Sequence, residues 1–337
     1  MNPIPSIIKE KINKHSNLSR NDSITLQTTN ILNINGEKKF HNIINLEIIN
    51  NIRWINKFHE HVNNYLYDQS IYVSCGETIE QRQKRNKIKI PIGFKNIFLF
   101  IDFVYKRVIP KLPILKKIYF FVTKGHNRVL SKAEMLGRLI SCGFEILEVF
   151  EYENIQYIIS KKVSDPKYDM EPSYGLLFNM RRIGYEGKII KVFKLRTMHP
   201  YSEYCQDFII KQNNLSSSGK VFDDFRVTYW GKIFRKYWLD ELPMIINFIK
   251  RDLNLVGVRP LSQNYFSKYP EDLQESRVKI KPGLIPPYYA DMPKNFEEIL
   301  DSERKYLILK KKHPILTDIK YLFKVFINIV LKGARSH

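Results

Sequence analysis

The sequence predicts an α/β protein of two domains, and three observations carry that prediction. Residues 130–160, LSKAEMLGRLISCGFEILEVFEYENIQYIIS, read as capped helix, stop, strand, turn and strand. Near KKVSDPKYDMEPS (161–173) the chain becomes charged, aperiodic and proline-containing, and beyond it short basic and acidic blocks alternate with apolar runs. PILTDIKYLFKVFINIVLKG (314–333) carries Ile315, Ile319, Leu322, Phe326 and Ile329 at helical spacing, an amphipathic pattern. A length of 337 residues suits two domains, drawn here as 1–165 and 166–337.

Taken in order, residues 1–40 are polar with few periodic segments, Ile44 to Leu66 reads as helical, and QSIYVSC (69–75) reads as a buried strand. Ser131 and Glu134 form a capping box for a helix that runs to about Cys142, where Gly143 stops it. FEILEVF and IQYIIS then read as strands around a Tyr-Glu-Asn turn. This order resembles the C-terminal end of a class I methyltransferase-like α/β domain. The cofactor loop of such enzymes is glycine-rich and follows a first strand. Residues 1–90 hold only Gly36 and Gly76, so the resemblance implies a degenerate domain without methyl transfer. SSSG (216–219) reads as a mobile loop tip.

Lys plus Arg number 55 against 34 acids, a net charge of +21, which favours anionic partners: nucleic acid, an anionic membrane surface or phosphorylated substrates. Part of that excess follows from a composition rich in Ile, Asn and Lys. Cys75, Cys142 and Cys205 are few and widely spaced, which argues against a disulfide framework or zinc cluster and suits a reducing compartment. MNPIPSIIKEKINKH lacks an apolar signal core, so secretion is not expected. No uncharged apolar run is long enough to span a bilayer. Two segments come closer. GFKNIFLFIDFVYKRVIPKLPILKKIYFFV (93–122) is interrupted by Lys95, Asp102, Lys106, Arg107, Pro110 and Pro113. It reads either as a core helix pair or as a surface-lying element with lysines at headgroups. The helix at 314–333 reads either as core packing or as a membrane interface.

The chemistry centres on RKYWLDELPMI (235–245), where Asp240 and Glu241 stand side by side in an apolar setting that makes each charge costlier. The ordinary explanation is punctuation. Leu242, Ile245, Ile246 and Ile249 have helical spacing, Pro243 suits a first turn, and Asp240 reads as an N-cap. The surroundings argue for more. Lys194, Arg196, Arg226, Arg235 and Arg259 stand in apolar or turn contexts, and such cations around a carboxylate pair suit a site that holds phosphate oxygens.

Four ordered motifs then carry a specific resemblance: K-x-R-T-M (194–198), D-x-R-V-T-x-x-G-x-x-x-R-x-x-x-x-D-E-L-P (224–243), L-V-G-x-R-P (255–260) and K-P-G (281–283). From about Ser173 to Gly333 the chain resembles the bacterial sugar transferase family, the monotopic phosphoglycosyl transferases. The resemblance implies a mixed α/β domain with amphipathic helices, sited at the cytoplasmic face of the inner membrane. It implies transfer of a sugar 1-phosphate from a UDP-sugar to undecaprenyl (polyprenyl) phosphate, which initiates surface polysaccharide or glycoconjugate synthesis. Asp240 takes the nucleophile's position and forms a covalent phosphosugar. Glu241, with Asp240, takes the place of a Mg²⁺ ligand. Lys194, Arg196, Arg226, Arg235 and Arg259 match basic motif positions and read as phosphate clamps.

The departures are Gly257-Val258-Arg259-Pro260 for G-P-R-P, Met244 for Gln after D-E-L-P, and Leu284-Ile285-Pro286-Pro287 after K-P-G. A polar linker also stands where members carry a re-entrant hairpin before Ser173-Tyr174-Gly175. Two alternatives remain: a non-catalytic relative acting as a membrane-associated binding or regulatory module, and a nucleic-acid binder. The latter lacks a helix-turn-helix, zinc or RNA-binding signature, so no nucleic-acid partner is expected. A homodimer is compatible with the sequence.

Overall fold

A computed structural model of the chain describes residues 4–16, 22–35, 39–89, 97–98, 101–102, 104–112, 114–168, 175, 177–212 and 224–331. The SSSG tip and Ser173–Tyr174 lie outside these residues. The described residues are mixed α/β and form two compact units. The first comprises 1–174 with 199–226, and the second 175–198 with 227–337.

The first unit is built on a five-stranded sheet in the order β1-β2-β3-β5-β4. β1 (Ser23–Leu26), β2 (Phe40–Ile48) and β3 (Leu66–Gly76) run parallel. β5 (Ile155–Lys162) is antiparallel to both β3 and β4 (Phe144–Tyr152). Strand alternation divides the isoleucines between two layers. Ile43, Tyr72 and Ile158 pack under the helices Ile55–Asn64 and Lys132–Ser141, while Ile44, Val73 and Ile159 pack against the helix Ser6–Asn13.

Here the structure corrects one reading. The run from Ile44 to Leu66 is not one helix: its first residues belong to β2, and the helix spans only Ile55–Asn64. A strand buried on both faces is apolar at consecutive positions, so its period is masked. The hairpin and helix after Ser131 follow expectation. Ser131 Oγ accepts the Glu134 amide at 3.2 Å, and Gly143 turns left-handed at φ +88°. Glu153 and Asn154, both at positive φ, join β4 to β5.

Residues 199–226 return to the first unit, a route that leaves no compositional mark. Cys205 and Ile209 enter its core. The Tyr201 carbonyl sits where a Cβ on Gly137 would fall at 2.1 Å, so only glycine admits this contact.

In the second unit, β6 (Leu177–Ile183) and β7 (Ile189–Leu195) form an antiparallel hairpin, and β8 (Asn254–Val256) pairs in parallel with β9 (Gly283–Ile285). Val256, Val258, Tyr306, Tyr321 and Val325 share a core with the helices Phe296–Lys312 and Pro314–Val330. The helix Pro314–Val330 packs through Thr317, Tyr321, Val325 and Asn328, where Asn328 donates 2.9 Å hydrogen bonds to the Tyr289 and Ala290 carbonyls. The stripe read from the sequence therefore does not form its packing face. Ile315, Ile319 and Phe326 are 76, 59 and 62% exposed.

The segment 93–122 likewise does not form a buried helix pair in its described part. The helix Leu115–Thr123 buries Tyr119 and exposes Leu115, Ile118, Phe121 and Val122. Among the described residues no helix is long and apolar enough to cross a membrane.

Candidate active site

Two turns and a hairpin of the second unit converge on the acid pair. The helix Tyr229–Lys236 is capped by Thr228, whose Oγ1 accepts the Gly231 amide at 2.9 Å. A Cβ on Gly231 would fall 2.1 Å from the Thr197 carbonyl, so the glycine of the V-T-x-x-G motif lets this helix press directly on the K-x-R-T strand end. Arg235, one turn before the acids, donates from Nε to Thr197 Oγ1 at 2.9 Å.

The chain then turns at Trp238, held left-handed at φ 56°, into a 3₁₀ turn Leu239–Glu241. A bulky residue rarely adopts this conformation. Trp238 is fastened by its indole Nε1, which donates to Tyr289 Oη at 2.8 Å. The expectation of Asp240 as a helix N-cap does not hold. Pro243 occupies that position, and the helix, Met244–Ile249, is short. Asp240 and Glu241 precede it on the tight turn, so a helix dipole is not what stabilises charge at this pair.

A cation does. Lys194, next to the end of β7, places Nζ 2.6 Å from Glu241 Oε1 and 3.9 Å from Asp240 Oδ2. Arg259 Nη2 approaches the same Glu241 oxygen at 3.8 Å. Both acids and the lysine are sheltered, with side chains 13–19% exposed for Asp240, Glu241 and Lys194. Burial pushes the Asp240 carboxyl above its ordinary value. The Lys194 charge opposes this, the Glu241 charge adds to it, and the Arg235 charge opposes it again.

The register that keeps Lys194 there is set by Asn247, which is fully buried. Its Oδ1 accepts the Phe193 amide at 3.0 Å and its Nδ2 donates to the Lys191 carbonyl at 2.7 Å, clamping the helix after the dyad onto β7. Gly257 and Gly283 explain two further motif glycines. A Cβ on Gly283 would lie 2.1 Å from the Gly257 amide nitrogen, so β8 and β9 meet backbone to backbone. That contact delivers Arg259 beside Tyr288, whose Oη accepts from Arg259 Nη1 at 3.0 Å. Behind it, the buried Arg277–Glu303 pair holds the Arg259 carbonyl through Arg277 Nη2.

The structure thus brings Asp240, Glu241, Lys194, Arg235 and Arg259 together. Arg196 donates to the Gly175 carbonyl at 3.0 Å and lies over the Phe178 ring. Arg226 belongs to the first unit, where Asp224 and Gln206 bind its guanidinium. Sequence reasoning passed over Tyr288, Tyr289, Trp238 and Asn247. The two tyrosines occupy the stretch after K-P-G where the chain departs from the family pattern, and that departure was the available signal. Arg182 on β6 was also missed; burial and the Arg259 charge push its pKa down.

An acid pair held against Lys194 and Arg259 gives an arrangement with the charge and donors to hold phosphate oxygens. Residues 168–332 match the family model described as bacterial sugar transferase, and this stretch of the chain belongs to that family. The galactosyl transferase CpsE of Streptococcus agalactiae serotype III (strain NEM316) is 31% identical over 161 residues, covering 47% of this chain and 35% of that protein. The uncharacterized sugar transferase EpsL of Bacillus subtilis (strain 168) is 36% identical over 110 residues, covering 32% of this chain and 48% of that protein. The UDP-glucose:undecaprenyl-phosphate glucose-1-phosphate transferase of Escherichia coli (strain K12) is 32% identical over 180 residues, covering 52% of this chain and 33% of that protein. The chain therefore spans a third to a half of the length of these relatives.

Replacing Asn247 with Leu strands the partly buried Phe193 amide and Lys191 carbonyl on β7, which costs up to about 1–3 kcal/mol for each group. Urea unfolding should show the loss. Native-state hydrogen exchange should show the Phe193 amide exchanging faster in Asn247→Leu than global destabilisation alone explains.

Proposed function

We propose that the chain transfers a sugar 1-phosphate from a UDP-sugar to polyprenyl phosphate, with Asp240 as the nucleophile. The observation that carries this is the Lys194 contact with both acids, which sets a positive charge against an otherwise mutually repelling pair and aims it at one place. The similarity to the undecaprenyl-phosphate galactose phosphotransferase of Salmonella typhimurium and to the UDP-glucose:undecaprenyl-phosphate glucose-1-phosphate transferase of Escherichia coli agrees with it.

In the first half-reaction an Asp240 carboxylate oxygen forms a bond to the β-phosphorus. The bond from that phosphorus to the oxygen bridging the α-phosphate breaks, and UMP leaves with the electron pair. In the second, a lipid phosphate oxygen attacks the phosphosugar and frees the carboxylate. Lys194, Arg235 and Arg259 hold phosphate oxygens and offset charge developing on them. Arg196 is read as a further clamp from its motif position. Lys194 and Arg259 both approach Oε1 of Glu241, which leaves Oε2 and the Asp240 carboxylate as oxygen donors for a hard cation. Among the described residues no group of three or more such ligands exists, so Mg²⁺ here would be held by Glu241 and Asp240 together with substrate phosphate. It would supply positive charge against the pyrophosphate.

The second unit works at a membrane surface on this reading. Leu242, Ile245, Ile246, Phe248 and Ile249, just after the dyad, are exposed, as are Ile315, Ile319, Phe323 and Phe326. A cytoplasmic face suits the nucleotide-sugar donor and the three unpaired cysteines. The first unit reads as a degenerate methyltransferase-like domain. Its support is the hairpin whose second strand lies against β3, and the closure of the β3 end, where Asn50, Ile49 and Met135 stand 2.9 Å from a Cβ built on Gly76.

Asp240→Asn should abolish UMP release from a panel of UDP-sugars supplied with lipid phosphate. Glu241→Gln should lower activity and flatten its Mg²⁺ response. Near-wild-type turnover by Asp240→Asn would overturn the assignment, and absence of turnover with every donor would favour a non-catalytic relative. The pH profile gives a second test. Asp240 must be ionised to attack, and burial raises its pKa, so activity should fall off at a pH above the ordinary aspartate value of about 3.9. Lys194 stabilises the ionised form, so Lys194→Met should lower the rate and move the acid limb to higher pH.

A further inference from the structure

We infer that the first unit carries its own docking surface for anionic lipid, formed by Ile97, Ile101, the helix Leu115–Thr123 with the preceding Ile114, and the neighbouring Trp54. Between residues 93 and 128 the chain has eight cations, Lys95, Lys106, Arg107, Lys111, Lys116, Lys117, Lys124 and Arg128, and one acid, Asp102. That acid is turned inward. Arg82, with a side chain 7% exposed, grips it in a fork, Nε to Oδ2 at 2.7 Å and Nη2 to Oδ1 at 2.8 Å. Tyr119 is buried as well. Asp102 and Tyr119 thus face inward among the described residues, and Asn127 and Arg128 tie the far end of the segment to Asn50 and Asn51.

What remains outward is apolar and basic. Ile114 and Phe121 are 80 and 85% exposed, and Ile97, Ile101, Ile118 and Val122 are exposed with them. Lys116 and Lys117 stand on the same helix. Arg53 lies over the Trp54 ring at 5.1 Å and over the Phe120 ring at 5.4 Å, which puts the exposed indole at the edge of the patch.

The chemistry selects lipid over protein as the occupant. Lysine is depleted in protein–protein interfaces, whereas exposed apolar side chains flanked by lysine and tryptophan fit a headgroup boundary above anionic lipid. A nine-residue helix is far too short to span, so the contact lies in the interface plane. This surface goes beyond the transferase reading, because it belongs to the unit that lacks the acid pair and needs no turnover.

The native thiols make the test clean. Cys75, Cys142 and Cys205 are all buried, and burial pushes each up to about 12. In the full chain, Phe121→Cys can therefore be labelled with an environment-sensitive fluorophore, and Phe323→Cys, in the second unit, likewise. With phosphatidylglycerol vesicles the label at 121 should shift to the blue, and with phosphatidylcholine vesicles much less. The double change Lys116→Glu, Lys117→Glu should weaken vesicle partition by roughly tenfold or more, since each basic residue adds to binding at an anionic surface. The proposal is overturned if vesicles bind and shift the label at 323 while the label at 121 stays in water. It is equally overturned if the label at 121 shifts with protein concentration alone, which would mean that a second copy covers the patch. Absence of UMP release would leave both labels readable.

Discussion

Two carboxylates on consecutive residues, sheltered from water, repel each other unless a cation is held against them. Lys194 meets that requirement, and much of the second unit serves to keep it there. The β6–β7 hairpin presents the lysine. Asn247 locks β7 to the helix that follows the acids. Thr197, three residues beyond Lys194, receives Arg235 and accommodates Gly231, so the chain before the acids is tied to the same strand. Trp238 completes the frame by holding a left-handed turn that only an outside partner, Tyr289, makes tolerable.

Motif glycines and motif cations have different physical roles in this frame. Gly231, Gly257 and Gly283 stand where a Cβ would collide with backbone, and their spacing sets how closely three elements approach. Lys194, Arg235 and Arg259 arrive at the acids because those approaches are close. A motif of this kind is a packing code with charges hung on it.

Much of this was legible in the sequence. The capping box at Ser131, the stop at Gly143 and the hairpin that follows are local, and local rules found them. The acid pair and most of its cations were legible through the ordered motifs. What local rules missed was decided at a distance. β2 passed for helix because burial on both faces erased its alternation. Asp240 passed for an N-cap because nothing nearby reveals that Trp238 turns left-handed under the pull of Tyr289. Of the apolar stripe read within 314–333, Ile315, Ile319 and Phe326 stay exposed, and Tyr321 and Asn328 chose the packing face, since each reaches partners that the stripe cannot. The stripes left outside, in both units, make sense beside a net charge of +21: apolar side chains and basic charge together match a surface that is greasy within and anionic on top.

The central claim is that Asp240 bonds to phosphorus, and intact-protein mass spectrometry tests it most directly. Enzyme mixed with UDP-sugar and Mg²⁺, with no lipid acceptor, should release up to one equivalent of UMP. It should also gain the mass of one hexose phosphate, labile to base and mapped to the peptide containing Asp240, and the gain should vanish when lipid phosphate is added. An enzyme shown to turn over that releases no UMP until lipid arrives, gains no mass and gives intersecting double-reciprocal plots would contradict the claim, leaving Asp240 as a ligand in a direct transfer.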